Sequence, residues 1–188
     1  MFMDKKNDRF LDILKSFIQS FMFSLVLVII ITQLIVRPVR VEGLSMYPSL
    51  NDKELGFSNI LSLRLKGVKR FDVVVIQLED QNKFIVKRVI GLPGEEIEYK
   101  DETLYVNGEA IEEPFLENTF REQYLDNDAE FMVDFGPIQV AEDSYFVLGD
   151  NRPNSIDSRN YGLFHRNMIK SKDVVVIFPF KKLRKVGA

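Results

Sequence analysis

The sequence contains no cysteine and a single histidine, His165, in 188 residues. Without cysteine there is no disulfide, no zinc-thiolate site and no thiol nucleophile, a composition that fits an extracytoplasmic domain folding without staples. One imidazole argues against a multi-histidine metal centre, so neither a metal nor another cofactor is expected. An excess of positive charge is also missing: 25 Lys and Arg stand against 28 Asp and Glu, a net charge of -3. Nucleic acid binding needs a basic footprint, and DNA and RNA are therefore not expected partners. The length bounds one folded unit plus an appendage, and there is no internal repeat or low-complexity tract. Oligomeric state is not legible at this level.

What is present begins with an apolar run from Phe17 to Val36, interrupted only by Gln19, Ser20, Ser24, Thr32 and Gln33 and free of charge. About 20 such residues suffice for a helix to cross a bilayer. The run exits into Arg37-Pro38-Val39-Arg40 rather than into small residues, which favours an uncleaved anchor over a cleavable signal or a buried helix. Lys5, Lys6, Arg9 and Lys15 precede it and Arg37 and Arg40 follow, placing the N-terminus in the cytoplasm. The expected organisation is a cytoplasmic segment 1–16, a transmembrane helix 17–36 and an extracytoplasmic domain 37–188 in the cell membrane.

Beyond Pro38 the texture changes to short runs rich in Val, Ile, Phe and Tyr, punctuated by turn residues, which predicts a mainly β domain. Phe71 to Leu78 and Lys83 to Ile90 read as strands joined through Glu79-Asp80-Gln81-Asn82. Asn107-Gly108 at the centre of Leu104 to Ile111 signals a tight hairpin. Tyr145 to Leu148 and Val174 to Phe178 read as further strands. From Glu112 to Asp134 periodicity is lost and acidic residues gather, predicting a mobile excursion off the sheet. Lys181, Lys182, Arg184 and Lys185 read as a solvated tail able to touch anionic headgroups.

Three cassettes carry candidate chemistry. In the first, Val41-Glu42-Gly43-Leu44-Ser45-Met46-Tyr47-Pro48-Ser49-Leu50, Ser45 taken alone reads as a turn residue. Met46, Tyr47 and Leu50 add apolar groups to a loop just past the membrane exit, where exposed apolar surface marks a binding or membrane contact. In the second, Lys87-Arg88-Val89-Ile90-Gly91-Leu92-Pro93-Gly94-Glu95, alternation puts Lys87 with Ile85 and Val89 and Arg88 with Phe84 and Val86. Taken alone, both charges read as edge-strand residues reaching water. If instead Lys87 is buried, desolvation lowers its pKa, as a general base near neutral pH requires, and a serine hydroxyl needs such a base. In the third cassette, Gly149-Asp150-Asn151-Arg152-Pro153-Asn154-Ser155-Ile156-Asp157-Ser158-Arg159, turn residues lead into groups able to fix one another, with Asp157 and Arg159 a candidate bidentate clamp. His165 lacks the surroundings expected of a triad base, and the Gly-x-Ser-x-Gly elbow is absent, Tyr47 standing where its second glycine belongs.

In this order and behind an N-terminal anchor, the three cassettes resemble those of the bacterial type I signal peptidases, Ser-Lys dyad serine proteases. The resemblance implies a fold of antiparallel β sheets behind one transmembrane helix. It implies Ser45 as nucleophile, Lys87 as general base, Ser155 as the hydroxyl that holds the lysine amine, and Gly149, Asp157 and Arg159 as structural residues near the site. Some members carry a side-chain oxyanion donor two positions before the nucleophile, where this sequence has Gly43. The implied substrates are signal peptides of exported preproteins, cut after a small residue at -1 with another at -3. Val41, Met46, Leu50, Ile85 and Val86 are the matching pocket walls, and the family's large second domain is missing. Two other readings stand beside this one. Self-cleaving Ser-Lys repressors are disfavoured by the anchor, and a membrane-anchored, non-catalytic β binding module requires Ser45 and Lys87 to lie exposed and apart.

Overall fold

The structure, a computed structural model, describes residues 4–78, 83–127 and 129–187. Helix α1 spans Asp4–Leu34. Its stretch Arg9–Leu34 has a mean hydropathy of 2.2, and no residue in it is buried by the rest of the chain. A helix apolar all round and left bare is matched to lipid rather than to water, and its 26 residues, at about 1.5 Å each, exceed the roughly 30 Å hydrocarbon thickness. The helix stops at Leu34, so the last two residues of the apolar run belong elsewhere: Ile35 is a turn and Val36 opens the first strand.

That strand, β1 (Val36–Arg40), is followed by β2 (Leu55–Asn59), helix α2 (Ile60–Lys66), β3 (Val73–Leu78) and β4 (Lys83–Gly91). The expected strand at 71–78 begins two residues late because Phe71 has a φ of 68°, outside extended geometry. Its expected link to β4, 79–82, lies outside the described residues. Next come β5 (Glu96–Lys100), β6 (Thr103–Val106), β7 (Glu109–Ile111), helix α3 (Thr119–Leu125), β8 (Phe135–Gln139) and β9 (Ser144–Leu148). Helix α4 (Ser158–Tyr161), β10 (Phe164–His165), β11 (Ile169–Phe178) and β12 (Arg184–Val186) complete the chain. Asn107 and Gly108, both with positive φ, make the two-residue turn between β6 and β7.

The strands form two antiparallel sheets, one ordered β1-β2-β11-β3-β4-β9-β10 with β12 added to β11, the other β7-β6-β5-β8. Each neighbouring pair in the larger sheet is antiparallel, so β1, β11 and β4 run in the same direction. Alternation sends Val73 and Val75 of β3 into a core with Val39, Val41, Met46 and Leu50, and Val74 and Ile76 into another with Val89, Val147 and Phe164. Strand β3 is thus covered on both faces, which is why it reads as a continuous apolar run.

Two sequence expectations fail. The described part of the 112–134 segment packs on the domain rather than standing off it: Leu116, Phe131 and Met132 are buried, and Phe120, Tyr124 and Phe131 form an edge-to-face cluster with Tyr47 against Phe120. Its apolar groups are spaced to pack as loops and short helices rather than with one period, so periodicity missed them. The basic C-terminal end is not simply a solvated tail. Strand β12 pairs with β11, and Arg184 donates to the Ser49 carbonyl at 2.7 Å and to Glu54 at 2.7 Å.

Candidate active site

A cleft of about 580 Å³ runs between β1 with its continuation to Met46 and the first half of β4. Ser45 and Lys87 both line it, with Val41, Met46, Ile85 and Val86 among its walls. Leu50 does not line it: fully buried in the core beside Met46, it is a packing residue and not a pocket wall. Met46 is buried as well and Tyr47 is half-buried, so the apolar loop read from sequence as an exposed surface is largely core. Two strand edges border the cleft. Strand β1 pairs only with β2, and β4 meets β9 only from Arg88 onward, leaving 83–87 without a strand partner on that side among the described residues.

Lys87 and Arg88 are each only 3% exposed, because β4 is covered on both faces from Lys87 onward. Neither reaches water as edge-strand residues do. Their partners differ. Arg88 makes a two-pronged ion pair with Asp150 at 2.8 and 2.7 Å, donates to the Phe71 carbonyl at 2.9 Å and lies over the Phe115 ring. Among the described residues Lys87 has no carboxylate in contact, and its Nζ donates to Ser155 Oγ at 3.1 Å. Burial lowers the Lys87 pKa from 10.5 to about 8, opposed by the nearby Asp157 charge and assisted by Arg159. The amine is therefore within reach of its neutral form near physiological pH.

The third cassette holds the other two together. Asp157 caps α4, accepts the Gly149 N-H at 3.0 Å and pairs with Arg159 at 2.8 and 2.9 Å. The Arg159 guanidinium also holds its pKa low and donates to the Arg152 carbonyl at 2.8 Å. Gly149 is required by space: a Cβ there would collide with Ser155 Oγ and with the Ser45 carbonyl. Asn151, which sequence reasoning passed over as turn chemistry, fixes the serine loop with two bonds, its N-H to the Ser45 carbonyl at 3.1 Å and its Nδ2 to the Leu44 carbonyl at 3.0 Å. Arg152 is buried against Glu113 of the 112–134 segment and over Tyr99. Among the described residues nothing accepts the Ser45 N-H, and Ser45 Oγ bonds to no side chain.

His165 pairs with Asp143 at 2.8 Å on the surface, and neither residue lines the cleft. Arg88, Asp150 and Glu113 are the partners sequence reasoning did not pair. The available signal was two adjacent cations inside an otherwise apolar strand, which call for buried carboxylates once both faces are covered.

Residues 14–178 match the family described as signal peptidase, peptidase S26. The chain is 39% identical to signal peptidase I S of Bacillus subtilis (strain 168), over 90% of this chain and 91% of the relative. It is 38% identical to signal peptidase I of Bacillus licheniformis, over 97% and 95% of the two chains. A crystal structure of a signal peptidase I from Enterococcus faecalis V583 superposes with a TM-score of 0.50 at 34% identity, covering 56% of this chain and 95% of that one. A two-sheet antiparallel domain behind an apolar helix, and a match running through all three cassettes, lead to one conclusion: the chain belongs to the signal peptidase family, peptidase S26.

Proposed function

We propose that this protein is a membrane-anchored serine endopeptidase that removes signal peptides from secreted preproteins, with Ser45 as nucleophile and Lys87 as general base. The observation that carries this reading is a buried lysine, its pKa lowered to about 8, in the same cleft as a serine held by its own carbonyl. Catalysis needs the neutral amine. It takes the Ser45 proton as Oγ attacks the scissile carbonyl, then gives that proton to the leaving amine, and water hydrolyses the acyl-serine with the same amine as base. Ser155 orients the amine, and the Ser45 N-H is available to the oxyanion. Free enzymes often hold nucleophile and base apart until substrate binds, so a Lys87 bonded only to Ser155 is compatible with this role.

An extended peptide fits between β1 and β4, pairing with their unpartnered edges. Val41, Met46, Ile85 and Val86 leave shallow apolar room for small side chains at -1 and -3. Helix α1 holds the site at the bilayer surface, where a tether raises the effective concentration of a membrane-bound substrate. With its N-terminus cytoplasmic, α1 places the catalytic domain on the outer side. The test is N-terminal sequencing of products from a preprotein and from its variant with lysine at -1. Cleavage after the small residue and none in the variant is expected, and equal cleavage of both would refute the pocket.

A further inference from the structure

The cleft has a second end. Strands β1 and β4 run in the same direction, and Arg37 near the start of β1 lies over Phe84, next to Lys83 at the start of β4, while Ser45 and Lys87 come further along the chain on each side. That end is cationic: Arg37 and Lys83 line it, with Arg37 over the exposed ring of Phe84 at 5.0 Å. The cleft's carboxylate, Glu42, stands three residues from Ser45, at the other end. Arg37 makes no ion pair among the described residues, and its Nε is buried without a partner. The buried Nε is out of reach of a ligand, but the rest of this half-buried guanidinium is also unpaired among the described residues and can donate to an acceptor that enters the cleft.

We infer that Arg37, with Phe84 and Lys83, forms a subsite that accepts the backbone carbonyls ending the substrate's apolar helix, upstream of the residues read at -1 and -3. The inference rests on the peptidase reading above. Strand β1 begins directly after α1, so the cationic end faces the bilayer. A substrate whose apolar segment precedes its cleavage site must enter from that end, parallel to β1 and β4. Lys83 precedes Lys87 by four positions, and at about 3.3 Å per residue an extended substrate reaches this end some four or five residues before the scissile bond. In lipid the upstream segment must be helical. Where it unwinds into the cleft, its last four carbonyls lose their partners and its C-terminal end carries partial negative charge. Cations meet both needs, and the Phe84 ring keeps the guanidinium aligned at the mouth.

The test compares two fluorogenic peptides with identical residues from -3 to +2, one starting at -4 and one carrying an apolar segment to about -14, cleaved by the full-length enzyme in neutral detergent micelles. In Arg37→Gln/Lys83→Gln, kcat/KM for the long peptide relative to the short one is expected to fall at least fivefold, through KM, with Arg37→Lys intermediate. Lysine at -5 of the long peptide should slow the wild type at least fivefold and the double variant less than twofold. Equal losses on both peptides, or equal sensitivity to lysine at -5, would overturn the subsite. So would a defect seen only in vesicles of anionic lipid, since that would mark a headgroup contact. A wild type that cleaves neither peptide overturns the peptidase reading itself, a result distinct from all of these.

Discussion

Lys87 Nζ sits 3.1 Å from Ser155 Oγ, and Gly149, bare of a side chain, is what lets Ser155 and the Ser45 carbonyl approach the same point. Lys87 and Ser45, the proposed base and nucleophile, are thus positioned by one turn. Ser155→Ala is expected to lower kcat on the order of tenfold or more with KM little changed, because the loss is of orientation rather than of substrate contact. Steady-state kinetics on a peptide substrate decide it, and an equal rise in KM would assign Ser155 to binding instead.

The pH dependence follows from the lowered Lys87 pKa. The ammonium is inert as a base, so kcat/KM should rise with pH and level off above about 8. The same shift has a stability consequence of definite sign. Folding penalises the charged form, so the domain is destabilised wherever Lys87 must stay charged, below about pH 8, and the penalty fades between there and 10.5. A drop from 10.5 to about 8 corresponds to about 3 kcal/mol. Lys87→Met should therefore be inactive yet melt at or above the wild-type temperature at pH 6.5. A profile flat from pH 6 to 9, or a large loss of stability in Lys87→Met, would contradict the assignment.

The adjacent cation behaves oppositely. Arg88 and Asp150 are both buried and doubly bonded, so removing one partner strands the other. Asp150→Ala is expected to destabilise the domain by about 3–5 kcal/mol, measured by urea unfolding, whereas Asp143→Ala, which breaks the exposed pair with His165, should cost far less. Comparable effects would mean that burial is not what makes the Arg88 pair matter.

These neighbours also show where sequence reading reaches its limit. The hairpin at Asn107-Gly108 and the strand through Lys87 were legible because turn chemistry and apolar runs act locally. Whether Lys87 and Arg88 face water was not, since that depends on what covers β4, and the cover comes partly from Phe115 and Asp150, far along the chain. Leu50 illustrates the reverse: its cassette marks the site, yet its side chain belongs to the core. The 112–134 segment looked mobile because its buried groups follow no single period, and its contacts with Tyr47, Arg88 and Arg152 exist only in three dimensions.

The most direct test of the account is turnover of one preprotein by Ser45→Ala, Lys87→Ala and the double variant, each checked for folding. If the two side chains act as one unit, each single variant loses on the order of a thousandfold or more and the double is no worse than either. A Lys87→Ala enzyme retaining a tenth of its activity, or a double variant far below both singles, would contradict it.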